Sequence, residues 1–544
     1  MTAWERANRE LIAKLLTELE FEELLQPDVA GDEWTLTLGR FTLHYTARRR
    51  SMGHARVDPD SLRATEDGVE IPLPDADLIV AVGAPALGVD ASTTAGLIGE
   101  VASTLVSDAQ QLERGAPAAE LLDLDPIELE GELRGHPWIV ASKGRVGFSS
   151  TDLRRYTPEA HRAVPIYWLH VEDADWRGQP LSDLVPVHPW QWDHRIQQLY
   201  AGDIARGRIR FLGERGGRWL PQQSIRTLAD ADHPERHHLK LALSILNTSV
   251  WRGLPRDRTL AAPRLSEWLQ ERVLSDAFLR ETGVILLGEV ASVSVAHPAF
   301  EAVADVPYQH TELLGAIWRE SVDSYLADGE RAISLAALLH RDPAGVAYVE
   351  PLIARSGLSV QEWVARLHEV TLPPLLHMLY RYGAAFSPHA QNCLLVLRDD
   401  APARLVVKDF VDDMMVSSDP LPELADMPDD VRAALGDGVE AAILVQWIQG
   451  GLLVCVHRYL AEILEDRLGF SEGAFWALGE RAVARYQARF PELEERFALF
   501  DMEAPAFVKL CLNRVRMLER GYADDPSRPV AAAVGWIDNP LAPR

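Results

Sequence analysis

Residues 386–410 read FSPHAQNCLLVLRDDAPARLVVKDF. Two apolar runs, Cys393 to Leu397 and Leu405 to Val407, flank a turn at Asp399 to Pro402, which predicts a β-hairpin. A polar loop feeds directly into the first strand and Lys408-Asp409-Phe410 closes the second, so His389, Gln391, Asn392 and Asp409 gather at one end of the hairpin. Asn and Asp at such a mouth are hard oxygen ligands suited to Mg2+, which takes few carboxylates alongside substrate phosphates. Protein kinases place an Asn before one strand and an Asp after the next for the same purpose. Taken singly, each of these residues is equally at home in an ordinary loop hydrogen bond.

Working outward, helical periodicity dominates from about residue 305 onward, with this hairpin as its one interruption. From about 131 to 300 short strands mix with loops rich in His, Arg, Ser and Asn. The N-terminal part opens on an amphipathic helix. A hairpin follows, with Trp34, Leu36 and Leu38 alternating on one strand and Phe41, Leu43 and Tyr45 on the other, and then a helix from Ala91 to Leu112 capped by Asp90. The acidic, Pro-containing stretch Leu121 to Glu132 reads as a domain junction. The fold class is α+β and multidomain, since 544 residues exceed what one core usually supports.

A formal net charge of -27 argues against nucleic-acid or anionic-membrane partners, both of which need Lys and Arg to neutralise phosphates. Cys393, Cys455 and Cys511 are too few and too scattered for a disulfide framework or zinc cage and read as reduced thiols of a cytoplasmic protein. The first residues carry acids throughout, unlike a signal peptide. The most apolar stretch, Leu444 to Val456, is broken by Gln446, Gln449, Gly450 and Gly451, short of a clean membrane span.

A second constellation begins at Ser224-Ile225-Arg226-Thr227 and continues after a turn into His238 to Ile245, where Leu239, Leu241, Leu243 and Ile245 share one strand face and Lys240 takes the other. A lysine there is a point charge for a nucleotide phosphate, beside two hydroxyls and the planar fork of Arg226. A solvated strand face with incidental polar residues is the competing account. In Asn247 to Arg252, Ser249 and Arg252 lie three apart, as on the first turn of a helix that offers N–H groups to an anion. The pairs His136-Pro137 and His188-Pro189 are either turn punctuation beside aromatic packing or functional, and spacing alone does not decide.

These segments, in this order, resemble the NRPS-independent siderophore synthetases, the aerobactin-synthetase-like IucA/IucC proteins, from about Gly131 to near the C-terminus. Gly135-His136-Pro137 through Lys143, Arg145 and Gly147-Phe148 is similar to the family's G-H-P-x-H-P-x-x-K-x-R-x-G-F, His188 to Gln191 to its H-P-W-Q, Ser224 to Thr227 to its S-x-R-T, and His389 to Asn392 to its H-G-Q-N. The resemblance implies a cupped hand with a thumb over 1–130, fingers over 131–304 and a palm over 305–544, and a kinase-like nucleotide site between fingers and palm. It implies ATP and Mg2+ as cofactors, with Ser224, Arg226, Thr227, Lys240, Ser249 and Arg252 on the phosphates. His389 and Gln391 would meet nucleotide and reacting carboxylate, and Asn392 and Asp409 the metal. His389, Arg226 and Lys240 become the catalytic candidates, and His136, Lys143, Lys509 and Arg514 the substrate-binding ones.

The implied reaction activates a carboxylate as an acyl-adenylate and joins it to an amine, hydroxylamine or hydroxyl partner, releasing AMP and pyrophosphate. Small carboxylates and amines are then the partners, and a homodimer is an assembly the resemblance leaves open. Ile139-Val140 stands where the family has a second His-Pro, and Ala390 where it has glycine. Phe386-Ser387-Pro388 and Lys408-Asp409 are similar to the desferrioxamine-synthetase branch, whose acids already sit on larger intermediates. A kinase-like phosphotransferase and a non-catalytic polycarboxylate-binding homologue are the rival readings.

Overall fold

The computed structural model describes residues 1–178, 183–215 and 217–543. Helix α1 (Ala3–Phe21) starts at a capping box in which Thr2 and Glu5 satisfy each other's backbone N–H groups. Strands β1 (Glu33–Leu38) and β2 (Phe41–Arg49) pair from Leu38 opposite Phe41 to Glu33 opposite Thr46, and their buried residues alternate as the sequence indicates. Helix α2 (Ala91–Arg114) begins where the Asp90 carboxylate accepts from Thr93 N. All four elements bury their apolar faces in one cluster, which also takes in Val140, Ala141 and Met517.

The middle of the chain is built on a six-stranded antiparallel sheet containing β3 (Thr227–Asp230), β4 (His238–Leu241), β7 (Glu289–Ser294) and β8 (Gly315–Arg319), in the order 219–221, β3, β4, β8, β7, 175–178. Between β4 and β7 come a two-stranded hairpin, β5 (Leu243–Asn247) and β6 (Val250–Arg252), and helix α3 (Arg256–Ser275), which packs on β7. Because β8 sits between β4 and β7, this sheet draws on sequence from both sides of position 304. Leu239, Leu241, Leu243 and Ile245 enter one apolar cluster, and Lys240 stays out of it while remaining buried.

The predicted hairpin is present as β10 and β11 in a four-stranded sheet. Its members are β9 (Glu330–Ser334), β10 (Cys393–Arg398), β11 (Ala401–Val407) and Ile285–Leu286, which runs parallel to β11; helix α4 (Val360–Tyr382) packs against β11. The turn is tighter than expected: Asp399 and Asp400 both take left-handed φ (50° and 59°), the two-residue hairpin geometry that favours Asp. The short helix α5 (Phe410–Asp413) follows immediately. This half holds more strand than the sequence indicates. Besides β8 and β9, β12 (Ala506–Cys511) pairs with β13 (Ala532–Asp538), and Ala384–Phe386 with Met414–Val416.

Residues Ala441–Leu468 form one continuous helix despite Gln446, Gln449 and the two glycines. By length and composition it could cross a membrane, but 67% of its apolar window is buried, with Leu444, Ile448, Leu452 and Leu453 in the largest core cluster. Its middle, Gln449–His457, is wound as a π-helix, and there a Cβ on Gly451 would come within 2.8 Å of Pro388 N and Cδ. The glycine lets the helix back directly onto the Ser387-Pro388 loop that leads into His389.

Candidate functional site

Lys240 stands mid-strand on β4, 1% exposed, with Thr227 opposite on one side and Ile317 on the other. Its Nζ ion-pairs with Asp409, lies 3.0 Å from Asp412 Oδ2 and 3.7 Å from Glu289 Oε1. Arg226, buried after the left-handed Ile225 (φ 64°), donates to Asp412 Oδ2 at 2.7 Å and to Gly253 O. Ser224 Oγ donates to Thr227 Oγ1 at 2.7 Å and accepts from Thr227 N at 3.2 Å, closing the turn that presents Arg226.

The second segment departs from the sequence reading. Asn247 to Arg252 is no helical turn: Asn247 pairs with Val250 across the β5–β6 hairpin and Thr248 turns the chain with φ 58°, so Ser249 occupies the hairpin tip. The β-branched and aromatic pair Val250-Trp251 favours the strand. Arg252 nevertheless points into the same place. It donates to Asn247 O at 2.9 Å and to Thr248 Oγ1, its Nε has no partner, and no carboxylate pairs with it among the described residues. Burial, reinforced by Arg226 and Arg528, pulls its pKa down to about 10.

The hairpin mouth faces this cationic group. Asp409 takes left-handed φ (74°) and α5 then brings Asp412 and Asp413 one turn further on. Asn392, 1% exposed, donates from Nδ2 to Asp413 Oδ2 at 2.6 Å, while its buried Oδ1 has no partner. His389 Nδ1 accepts from Gln391 N at 3.3 Å and its Nε2 lies 3.8 Å from Asp413 Oδ2; Gln391 is half-buried. Burial works to raise both Asp409 and Asp412, but Lys240, joined at Asp412 by Arg226 and Arg528, outweighs it and holds both carboxyls below the usual range. Glu289, deeper and fully buried, goes the other way: burial, only partly offset by Lys240, lifts it to about 7. The unpartnered Asn392 oxygen lies next to the Asp413 carboxylate, and hard oxygen donors of this kind suit a cation such as Mg2+.

Four of these residues the sequence reading does not single out: Glu289, the neighbouring acids Asp412 and Asp413 of α5, and Arg528. The two α5 acids carry a signal, since Asp409, Asp412 and Asp413 follow the hairpin with helical spacing of three and four. Arg528 arrives from 275 residues beyond its Gly253 contact and reaches Glu312 Oε2 at 2.5 Å and Asp412 Oδ1 at 3.8 Å, which no local motif announces.

The remaining candidates are dispersed. His136 borders the site: its Nδ1 accepts from Trp138 N and Ile139 N, and burial, with His389 and Arg252 adding repulsion, keeps its ring far below the usual histidine range. Lys143 is 2% exposed with its Nζ committed at 2.7 Å to Asp108 and to Gln111 on α2. Lys509 Nζ pairs with Glu23 at 2.7 Å, and Arg514 bonds at its N–H to Glu22, both beyond the end of α1. Ile139 and Val140, which stand where the family has a second His-Pro, are both buried, and Val140 belongs to the same apolar cluster as Leu15 and Leu19.

Known proteins match this chain in sequence and in fold. Residues 125–182 and 179–340 match the IucA / IucC family, and 361–525 match the family described as Ferric iron reductase FhuF-like transporter. The rhizobactin siderophore biosynthesis protein RhbF of Rhizobium meliloti is 40% identical across 99% of this chain and 96% of its own. The aerobactin synthase of Escherichia coli is 33% identical over 99% and 98%. A citryl-spermidine/3,4-dihydroxybenzoyl-citryl-spermidine:spermidine ligase of Bacillus anthracis is 29% identical over 76% and 72%. Among solved structures, the aerobactin synthetase IucC of Klebsiella pneumoniae superposes with TM-score 0.87 at 31% identity over 99% of this chain and 98% of its own. The ATP-bound aerobactin synthetase IucA of the same organism shares the fold, with TM-score 0.80 at 19% identity over 100% of both chains. The fold and the family relatives define a siderophore-biosynthetic enzyme that ligates its substrates. The chain belongs to the IucA/IucC family of siderophore synthetases.

Proposed function

We propose that the enzyme is an ATP-dependent, AMP-forming acid–amine ligase of the cytoplasm, shaped as a cupped hand with its nucleotide between the β4 sheet and the β10–β11 hairpin. The carrying observation is the convergence of buried Lys240 and Arg226 and half-buried Arg252 and Arg528 on one side with buried Asp409 and Asn392 and half-buried Asp412 and Asp413 on the other. A triphosphate needs that many donors to leave water, and Arg252 has donor capacity no protein group uses. Support for ATP comes from the fold shared with an ATP-bound IucA.

In the first step a carboxylate oxygen attacks the α-phosphorus, the bond to the β-phosphate oxygen breaks and pyrophosphate leaves. Arg226, Arg252 and Lys240 stabilise the charge that grows on the phosphate oxygens, and their fixed positions supply much of the orientation. In the second step an amine or hydroxylamine nitrogen attacks the acyl carbon, loses its proton and expels AMP. His389, partly exposed beside Asp413, is placed to meet the reacting carboxylate and that proton. Mg2+, when held by Asn392, Asp409 and Asp413, would add charge neutralisation at the phosphates. The relative that ligates citryl-spermidine supports a citryl-type acid and an amine nucleophile, and the Phe386-Ser387-Pro388-His389 segment supports an acid already carried on a larger intermediate rather than free citrate. The test is carboxylate-dependent exchange of labelled pyrophosphate into ATP. Exchange that requires both Mg2+ and an acid bears the proposal out, and its absence with every acid of a citryl and succinyl-hydroxamate panel would refute it.

A further inference from the structure

Between α1, β2 and the helix ending at Leu468 opens a cleft of about 1380 Å³ that does not contain the Lys240 cluster but reaches it through His136. His136 O accepts from Lys14 Nζ at 2.7 Å on the cleft side, while its ring senses His389 and Arg252 on the nucleotide side. The charges inside the cleft do not balance. Its inner acids are all committed: Glu10 to Arg6 and Arg134, Glu18 to Arg458, Asp108 to Lys143, Glu462 to His54 and Asp466 to Arg50. Asp32, Asp58 and Asp60 stand at the exposed rim. Four cations lining the cleft have no carboxylate within ion-pair distance among the described residues: the Met1 ammonium at the exposed rim, Arg9, held by Pro59 O and Leu62 O, Lys14, and Arg341.

We infer that Lys14 and Arg341 form an anion-binding subsite for a second carboxylate of the acyl substrate, lying outside the nucleotide site and joined to it past His136. Half-buried cations without a carboxylate partner keep an uncompensated charge, even where, as for Lys14, a carbonyl accepts one hydrogen bond, and a bound carboxylate offsets that cost with charge-assisted hydrogen bonds. Burial already draws the Lys14 ammonium down to about 8 and depresses Arg341, the direction that an incoming anion reverses. On a chain of net charge -27, such a local surplus is also what lets a polycarboxylate approach. The inference rests on the ligase reading for its substrate class, but its test does not.

The full-length protein is titrated calorimetrically with citrate, with acetate, and separately with a non-hydrolysable ATP analogue plus Mg2+. Citrate should bind the wild type at least about tenfold more tightly than acetate. Lys14→Met combined with Arg341→Gln should lose at least about tenfold for citrate and leave the ATP analogue unchanged, whereas Lys14→Arg should retain citrate binding within about threefold. Arg226→Lys should do the reverse, losing the nucleotide and keeping citrate. Citrate binding that survives the double substitution, or that is absent from the wild type while the ATP analogue binds, overturns the subsite. Citrate bound normally with no nucleotide binding would sink the ligase reading and leave the subsite standing.

Discussion

Lys240 and Lys143 are both lysines of motif segments and both almost completely buried, yet their surroundings differ in kind. Lys143 is saturated: Asp108 and the Gln111 carbonyl take its ammonium at 2.7 Å each, and the assembly ties the loop after His136 to α2. Lys240 pairs with Asp409, Asp412 and Glu289, shares Asp412 with Arg226 and Arg528, and lies near the unpaired Arg252, so several cations and several acids are held together with some of their polar atoms unmatched. Burial of a charge therefore does not mark function in this molecule. On the proposed reading, a cluster of charges that the protein leaves partly unmatched is the better mark, because a ligand can complete it.

Substitutions at the two lysines' partners should separate these cases. The largest effect is expected at the open site: Asp409→Asn should lower turnover by at least about 100-fold. The variant should still fold, because Asp412 and Glu289 keep Lys240 paired. Circular dichroism with steady-state rates at saturating Mg2+ checks this, and near-normal turnover would put Asp409 outside the chemistry. Next, Arg226→Lys should raise the KM for ATP by about tenfold or more, since a point charge cannot reproduce the guanidinium fork; a normal KM would make Arg226 purely structural. At the saturated site the sign of the comparison inverts. Lys143→Met strands Asp108 and should cost about 3 kcal/mol of stability in denaturant melts while leaving the KM for ATP unchanged. A changed KM at full stability would show that Lys143 serves the ligand after all.

The smallest effect is a pH dependence outside both sites. Burial, only partly offset by Arg516, raises Glu100 on α2 to about 7 from an ordinary 4.5. A carboxyl whose folded pKa exceeds its unfolded value binds its proton more tightly when folded, so its contribution is complete below about 4.5 and disappears as pH rises through about 7. Glu100→Gln should flatten the fall in melting temperature between pH 5 and pH 8, and an unaltered slope would mean that Glu100 does not titrate in that window.

Much of this was legible in residue pattern alone, for identifiable reasons. The β10–β11 hairpin is legible from two apolar runs flanking the turn at Asp399 to Pro402, and α2 from helical spacing after an Asp cap, all local causes. Lys240 could be placed because its strand neighbours at 239, 241, 243 and 245 share one core. What stayed hidden depends on distant partners. β8, Gly-Ala-Ile-Trp-Arg, is a run of five buried residues whose identity as a central strand comes only from β4 and β7 beside it, and β12 pairs with β13 across a long excursion. The Ser249–Arg252 turn was misread because one positive φ at Thr248 converts helical spacing into a hairpin. Arg528 and the commitments of Lys143 and Lys509 follow from tertiary approach that no spacing encodes.

The central claim is that the open charge cluster around Lys240 handles an adenylating triphosphate, and the fate of the adenine nucleotide tests it most directly. Incubation with Mg2+, α-labelled ATP, an amine and a mono-amidated citrate should yield labelled AMP and one pyrophosphate for each amide formed. Labelled ADP with free phosphate would contradict the account, because the same cluster would then be directing transfer of the terminal phosphate as a kinase does.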